Sequence, residues 1–233
     1  MNINSKIKII AFDADDTLWV NETYYRETER AFTHLLKDYL PEEKVSEILL
    51  KTETQNIKLY GYGVKGFVLS MIETALKITK DKTENEIISQ ILTLGKALIN
   101  KPIKLLDGVR LTLENLNKRS VKLVLATKGD LLDQERKLKK SGLAKCFHHI
   151  EIMSNKNQDD YQKLLERLEI SPDEFLMVGN SVKSDILPVL AMGSYAIHIP
   201  YHTTWIHENV TNNEQNNERF LKIKSILELL EAI

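Results

Sequence analysis

Cysteine is nearly missing from this 233-residue sequence. Cys146 is the single one, which excludes an internal disulfide and any metal centre built from several thiolates. An excess of charge of one sign is missing too: 32 Lys and Arg stand against 33 Asp and Glu, a formal net charge of −1. The chain therefore exerts no general pull on nucleic acid or on an anionic membrane. Long apolar runs are also lacking, since the stretch after Lys6 meets Asp13 before it reaches the length of a signal-peptide core or a membrane span. Together these absences predict a protein of the reducing cytoplasm whose partner is a small molecule, not nucleic acid or membrane. They leave the oligomeric state open. Without export, the sequons at Asn21 and Asn209 carry no meaning. A hydrophobic content of 42% beside 28% charged residues is that of a folded globular chain.

The most informative segment that is present runs from Ile9 to Trp19. An apolar stretch with the character of a buried strand ends in Asp13, Asp15 and Asp16. Carboxylates crowded at a strand end repel, and a bound metal, a nearby lysine or a retained proton relieves them. A solvated acidic turn that caps a helix is the plainer alternative for an isolated Asp-x-Asp.

After a first strand over Lys6 to Phe12, the chain reads as helical from Asn21 to Asn100. Apolar residues recur at helical spacing around Leu35 and Leu36, Val45 and Leu49, Phe67 and Met71, and Ile87 and Ile91, which implies four helices. Beyond Pro102 the pattern alternates. Helices are expected over Gly108 to Arg119, Asp130 to Ser141, Asp159 to Leu168 and Ser184 to Met192. Strands are expected over Val121 to Ala126, Ile150 to Met153, Phe175 to Val178 and Tyr195 to Ile199. A polar loop over Asn212 to Glu218 and a last amphipathic helix over Ser225 to Leu230 complete the reading. This is the signature of an α/β protein: a Rossmann-like, doubly wound parallel sheet, with the all-α block as an insertion. The expected division is a core over residues 1–20 and 101–233 and a helical domain over residues 21–100.

Ligands of open parallel sheets bind beyond the carboxyl ends of the strands. Those ends carry Asp13, Asp15 and Thr17 after the first strand, Thr127 and Lys128 after the second, Lys156 after the third, and Gly179, Asn180 and Asp185 after the fourth. Taken singly, each has a bland reading: threonine often ends a strand, and lysine is usually solvated. Lys163 also competes with Lys156, and Asp16 reads as a capping residue.

In their order, Asp13-x-Asp15-x-Thr17, Thr127, Lys156 and Gly179-Asn180 with Asp185 resemble the four motifs of the haloacid dehalogenase (HAD) superfamily. The likeness extends to the helical insertion, which stands where that superfamily places a mobile cap. Gly179-Asn180-Ser181-x-x-Ser184-Asp185 and Tyr161 resemble a bacterial branch of HAD hydrolases. The resemblance implies a Mg²⁺-dependent phosphohydrolase acting on a small phosphorylated metabolite. It implies Asp13 as the nucleophile that forms an aspartyl-phosphate, Asp15 as general acid and base, Thr127 as a holder of phosphoryl oxygens, and Lys156 as the balancing cation. Mg²⁺ would be held by Asp13, the backbone carbonyl of Asp15, Asn180 and Asp185. The superfamily commonly has aspartate at the position of Asn180, so two readings of that residue stand: a neutral ligand oxygen, or a residue that shapes the turn.

Lys128, and Lys65 within Tyr60–Gly66 of the insertion, are candidate substrate contacts. The Tyr60–Gly66 segment reads equally as a helix connection. Tyr201 to Trp205 is a further candidate near the same edge, with packing as the commoner role for Trp205. A haloacid dehalogenase is the nearest rival, although dehalogenation requires neither Mg²⁺ nor an acid at Asp15. A phosphonate hydrolase would need a cap amine, for which Lys65 is the one candidate. A phosphotransferase or mutase shares the first chemical step, and a non-catalytic phospholigand-binding protein is favoured only by Asn180.

Overall fold

Four consecutive apolar residues, Ile9–Phe12, form β1 and are buried on both faces, as befits a central strand of a covered parallel sheet. The computed structural model describes residues 6–80, 82–203 and 217–233. It continues through α1 (Glu22–Leu35), α2 (Glu42–Tyr60), α3 (Val64–Thr79) and α4 (Asn85–Ile99). There follow α5 (Val109–Leu116), β2 (Lys122–Lys128), α6 (Leu131–Ser141), β3 (His149–Met153), α7 (Gln158–Leu168) and β4 (Phe175–Gly179). The last elements are α8 (Leu187–Ala191), β5 (Tyr195–His198), β6 (Phe220–Lys222) and α9 (Leu229–Ala232).

Every strand pairing is parallel, in the order β3-β2-β1-β4-β5-β6. The chain moves outward from β1 through β2 to β3, then returns to the far side of β1 for β4. Connections leaving β1 and β4 therefore diverge, and a crevice opens beyond their carboxyl ends. Asp13 follows β1 there, its N–H donating to Val178 O at 2.9 Å, and Asn180 follows β4.

The strands alternate their side chains between two apolar layers. Ile10 and Phe12 join Leu113, Leu116, Leu123 and Leu125 on one face. Ile9 and Ala11 join Val124, Tyr161, Leu164 and Phe175 on the other. Cys146 packs against the first layer as a small apolar side chain.

The chain divides into two compact units. One holds the whole sheet together with α5 and α7 to α9, and takes in α6 from Gln134 onward. The other comprises Thr23–Pro102 and Gly129–Asp133. The core of the second unit is Phe32, Leu36, Val45, Leu49, Phe67, Met71 and Ile91, residues at the helical spacing evident in the sequence. Among the described residues no helix is long and apolar enough to cross a membrane.

The structure corrects the expected elements in three places. β6 was not anticipated, because three residues are too few to carry a periodic signal. The helix expected over Ser184 to Met192 begins earlier, as a π-helical turn over Val182–Ile186, and continues as α8. Pro188 explains the change: it has no N–H to offer Ser184 O, and the Leu187 N–H bonds instead to Val182 O. The last helix is a 3-10 turn, Ile226–Glu228, followed by the short α9. The sequon at Asn209, Thr204, Trp205 and positions 212–216 of the polar loop lie outside the described residues.

Candidate active site

Beyond β1 the chain folds back tightly. Leu18 N–H donates to Ala14 O at 2.8 Å and Asp16 N–H to Trp19 O at 2.7 Å. Asp16 takes a φ of 63°, a left-handed conformation that Asp tolerates better than most residues. Its carboxylate accepts the backbone N–H of Asn21 at 2.8 Å and of Glu22 at 2.9 Å, at the start of α1. Burial pushes this carboxyl up to about 8, with the Asn21 amide pulling the other way. Asp16 thus serves the fold of the turn.

Asp13, by contrast, enters a buried charge cluster. Lys156, on the connection between β3 and α7, donates from Nζ to Asp13 Oδ1 at 2.5 Å and to Asp185 Oδ1 at 2.7 Å. The Lys156 and Asp185 side chains are each 1% exposed and that of Asp13 10%, so water screens these charges little. One ammonium faces two carboxylates, and the cluster is short of one positive charge. Burial, with Asp185 adding to it and Lys156 opposing it, pushes Asp13 up to about 7. Burial works against the Lys156 ammonium as well, but Asp13 and Asp185 override it and hold Lys156 well above the ordinary lysine value. Lys163, the competing lysine, is exposed.

The π-helical turn sets Asp185. Ser181 N–H donates to Asp185 Oδ2 at 3.0 Å, and the buried Tyr161 hydroxyl donates to Ser184 O at 3.0 Å, the carbonyl to which Pro188 has no N–H to offer. Gly179 makes room: a Cβ there would lie 2.2 Å from Asp185 Oδ2. A Gly179→Ala substitution is expected to displace Asp185 and cost about 1–3 kcal/mol, read as a lower urea midpoint. An unchanged midpoint would show that the turn yields without cost.

Thr17 lies between two acceptors. Its hydroxyl is 3.1 Å from Asp13 Oδ2 and 3.2 Å from Asn180 Oδ1, and its single proton serves only one of them at a time. His198, at the end of β5, donates from Nε2 to Asn180 O at 3.0 Å, and burial holds its imidazole below the ordinary histidine value. Among the described residues no three His, Cys, Asp or Glu side chains gather as a metal cluster. A cation here would rely on neutral oxygens beside Asp13 and Asp185. Oxygen donors in excess of protons, next to a cluster short of positive charge, suit a hard ion such as Mg²⁺.

Asp15 is held by residues that the sequence reading did not single out. Lys137 Nζ donates to both of its carboxylate oxygens at 2.7 Å, Gln134 Nε2 to Oδ2 at 2.8 Å, and Trp19 Nε1 to Oδ1 at 2.7 Å. Gln134 and Lys137 are three residues apart on α6 and share one face. A search for polar pairs at that spacing would have found them, but α6 carries so many charges that the pair looks like ordinary solvated surface.

The remaining candidates are distributed as follows. Thr127 is buried near the end of β2, beside Ile152 of β3. Lys128 donates to Ser184 Oγ at 2.8 Å. Lys65 belongs to the other unit, where it pairs with Asp130 at 2.7 Å and is 62% exposed. Tyr60–Gly66 spans the connection from α2 to α3, with Gly61 and Gly63 at positive φ and the Tyr60 hydroxyl bonded to Glu73. Tyr201 lies against the His202 ring, centroids 4.1 Å apart.

Comparison with known proteins gives the family. No curated protein matches the sequence significantly. A haloacid dehalogenase-like family hydrolase from Xanthomonas campestris has a similar structure, with 36% identity over 97% of this chain and 90% of that one and a TM-score of 0.87. The HAD-hydrolase YfnB from Bacillus subtilis, described as putative and bound to magnesium, is similar at 18% identity over 97% and 98% of the two chains, with a TM-score of 0.65. A 2-haloacid dehalogenase from Pseudomonas syringae is similar at 17% identity over 97% of each chain, with a TM-score of 0.64. At such identities the last two likenesses are of fold alone. Residues 7–193, from the start of the sheet to the threshold of β5, match the haloacid dehalogenase-like hydrolases, and it is to this family of hydrolytic enzymes that the chain belongs.

Proposed function

We propose that the chain is a Mg²⁺-dependent phosphohydrolase of the cytoplasm that removes phosphate from a small phosphorylated metabolite. The observation that carries this reading is the pairing of two carboxylates two residues apart in opposite settings. Asp13 is buried in a cluster short of one positive charge, and Asp15 is ringed by hydrogen-bond donors. A dehalogenase uses a nucleophilic carboxylate but has no work for the second one.

In this reading an Asp13 oxygen bonds to phosphorus as the bond to the leaving oxygen breaks, and Asp15 gives that oxygen a proton. Asp15 then takes a proton from water, whose oxygen bonds to phosphorus and releases Asp13. The Thr127 hydroxyl holds phosphoryl oxygens, and Lys156 balances the charge on Asp13 and phosphate. Asp13, the Asp15 carbonyl, Asn180 and Asp185 would hold Mg²⁺, which when bound supplies the positive charge that the cluster lacks. Lys128 and Lys65, bonded to Ser184 Oγ and paired with Asp130, are the proposed substrate contacts, each ammonium having three donors. The division into a core over residues 1–20 and 101–233 and a cap over residues 21–100 belongs to the same reading.

The test is release of phosphate from p-nitrophenyl phosphate and a panel of metabolite phosphates, with Mg²⁺ or EDTA, beside release of chloride from 2-chloropropionate. Mg²⁺-dependent phosphate release without chloride is the expected result. Chloride release that persists in EDTA would replace this reading with dehalogenation.

A further inference from the structure

We propose that Lys137, assisted by Gln134 and Trp19, positions Asp15 for proton transfer to the leaving group, and so decides how well poor leaving groups are tolerated. The inference rests on the phosphohydrolase reading. A carboxylate on a turn is free to rotate about two side-chain bonds, and a proton donor that rotates is seldom aligned. Here four hydrogen bonds from three side chains remove that freedom, and the proton that Asp15 passes to the leaving group takes the place of one of them on its oxygen. Lys137 spans both oxygens at 2.7 Å, Trp19 holds Oδ1 from within the turn, and Gln134 holds Oδ2 from α6.

Lys137 is unusual among lysines in being withdrawn from water, its side chain 9% exposed. Besides Asp15 it reaches Asn21 Oδ1 at 3.2 Å, so its ammonium is fastened to the turn that carries Asp15. An ammonium gives up its hydration only where such partners replace it.

Gln134 supplies an independent observation. Its amide nitrogen is committed to Asp15 and to Lys128 O, yet its buried Oε1 has no donor among the described residues. A buried acceptor seldom goes unpaired. Beside a carboxylate that exchanges protons with an alcohol and then with water, it is suited to the O–H of either one. Lys137 and Gln134 therefore act as a pair, the first fixing Asp15 and the second fixing Asp15 while offering an acceptor to the group that Asp15 serves.

Lys137→Met is the decisive variant, read in two ways. The sequence has two tryptophans, Trp19 and Trp205, so in a Trp205→Phe background the one indole N–H resonance reports the bond from Trp19 to Asp15 without any turnover. The second reading is kcat/KM for p-nitrophenyl phosphate, whose leaving group departs with little protonation, against that for an alkyl phosphate, whose leaving group needs a proton. Lys137→Met is expected to shift the indole resonance and to lower the alkyl value roughly 100-fold, with the aryl value nearly unchanged. Lys137→Arg is expected to restore most of the ratio. Should Lys137→Met not fold, Gln134→Met, which removes one of the four bonds, gives the same selective loss in smaller measure. An unmoved indole resonance, or an equal fall for both substrates, would overturn the proposal. If the wild-type protein releases phosphate from neither substrate, the phosphohydrolase reading fails, while the indole resonance still decides whether Lys137 positions Asp15.

Discussion

Asp13→Asn is expected to lower phosphate release by roughly 10⁴-fold or more while leaving the protein folded and, above neutral pH, more stable than the wild type. The amide keeps the size of the carboxylate but removes the oxygen that bonds to phosphorus. The gain in stability follows from the site's electrostatics. Asp13 titrates near 7 in the folded protein, against 3.8 for the free side chain, so ionising it in place costs folding free energy. A folded value above the unfolded one means that the wild type loses stability as pH rises from about 4 through 7. Asn has no proton to lose.

Without Mg²⁺ the two proteins should therefore unfold at similar temperatures near pH 4, and the variant at a higher temperature at pH 8. Because Mg²⁺ favours the ionised carboxylate, its addition should narrow the gap at pH 8. Thermal unfolding at the two pH values, with Mg²⁺ or EDTA, makes the comparison. A variant less stable at pH 8 would mean that the carboxylate is well compensated and that the cluster is not short of positive charge. Full phosphate release by Asp13→Asn would remove Asp13 as the nucleophile.

Lys156→Met is expected to destabilise the protein by about 3–5 kcal/mol at pH 8. Methionine fills much of the same volume, so little is lost in packing. What is lost is the one cation between Asp13 and Asp185, both bonded to it and both withdrawn from water. The sign again sets the pH window. Lys156 is held above its ordinary value, so in the wild type its contribution persists through the whole neutral range and fades only in strong alkali. In the variant the two carboxylates are left facing each other, and the penalty shrinks as pH falls and they take up protons. Urea midpoints at pH 5 and pH 8 should differ far more for Lys156→Met than for the wild type. A loss of the same size at both pH values would assign Lys156 a packing role.

The strands were legible because buried parallel strands are short, uninterrupted apolar runs: Ile9–Phe12, Leu123–Ala126 and Phe175–Val178 need no partner to be recognised. The helices between them announced themselves by period. β6 did not, since Phe220–Lys222 becomes a strand only by pairing with β5. The π-helical turn was hidden for a related reason. Pro188 was visible, but that the Tyr161 hydroxyl would reach the Ser184 carbonyl, to which Pro188 has no N–H to offer, depends on α7 lying beside the turn.

The candidate site divides along the same line. Order along the chain is enough to place Asp13, Asp15, Thr127, Lys156, Asn180 and Asp185 at the carboxyl ends of successive strands, because a parallel sheet presents all those ends at one edge. Sequence by itself therefore determined the α/β fold class and the residues that share that edge. Only the tertiary structure decided that Lys156 stands between Asp13 and Asp185 while Lys163 faces water, and that Lys137 and Gln134 close on Asp15. The physical reason is one of range. Periodicity and strand ends are local properties written in neighbouring residues, whereas the charge state of the buried Asp13 depends on a lysine more than a hundred residues away, brought within 3 Å only when the sheet is assembled.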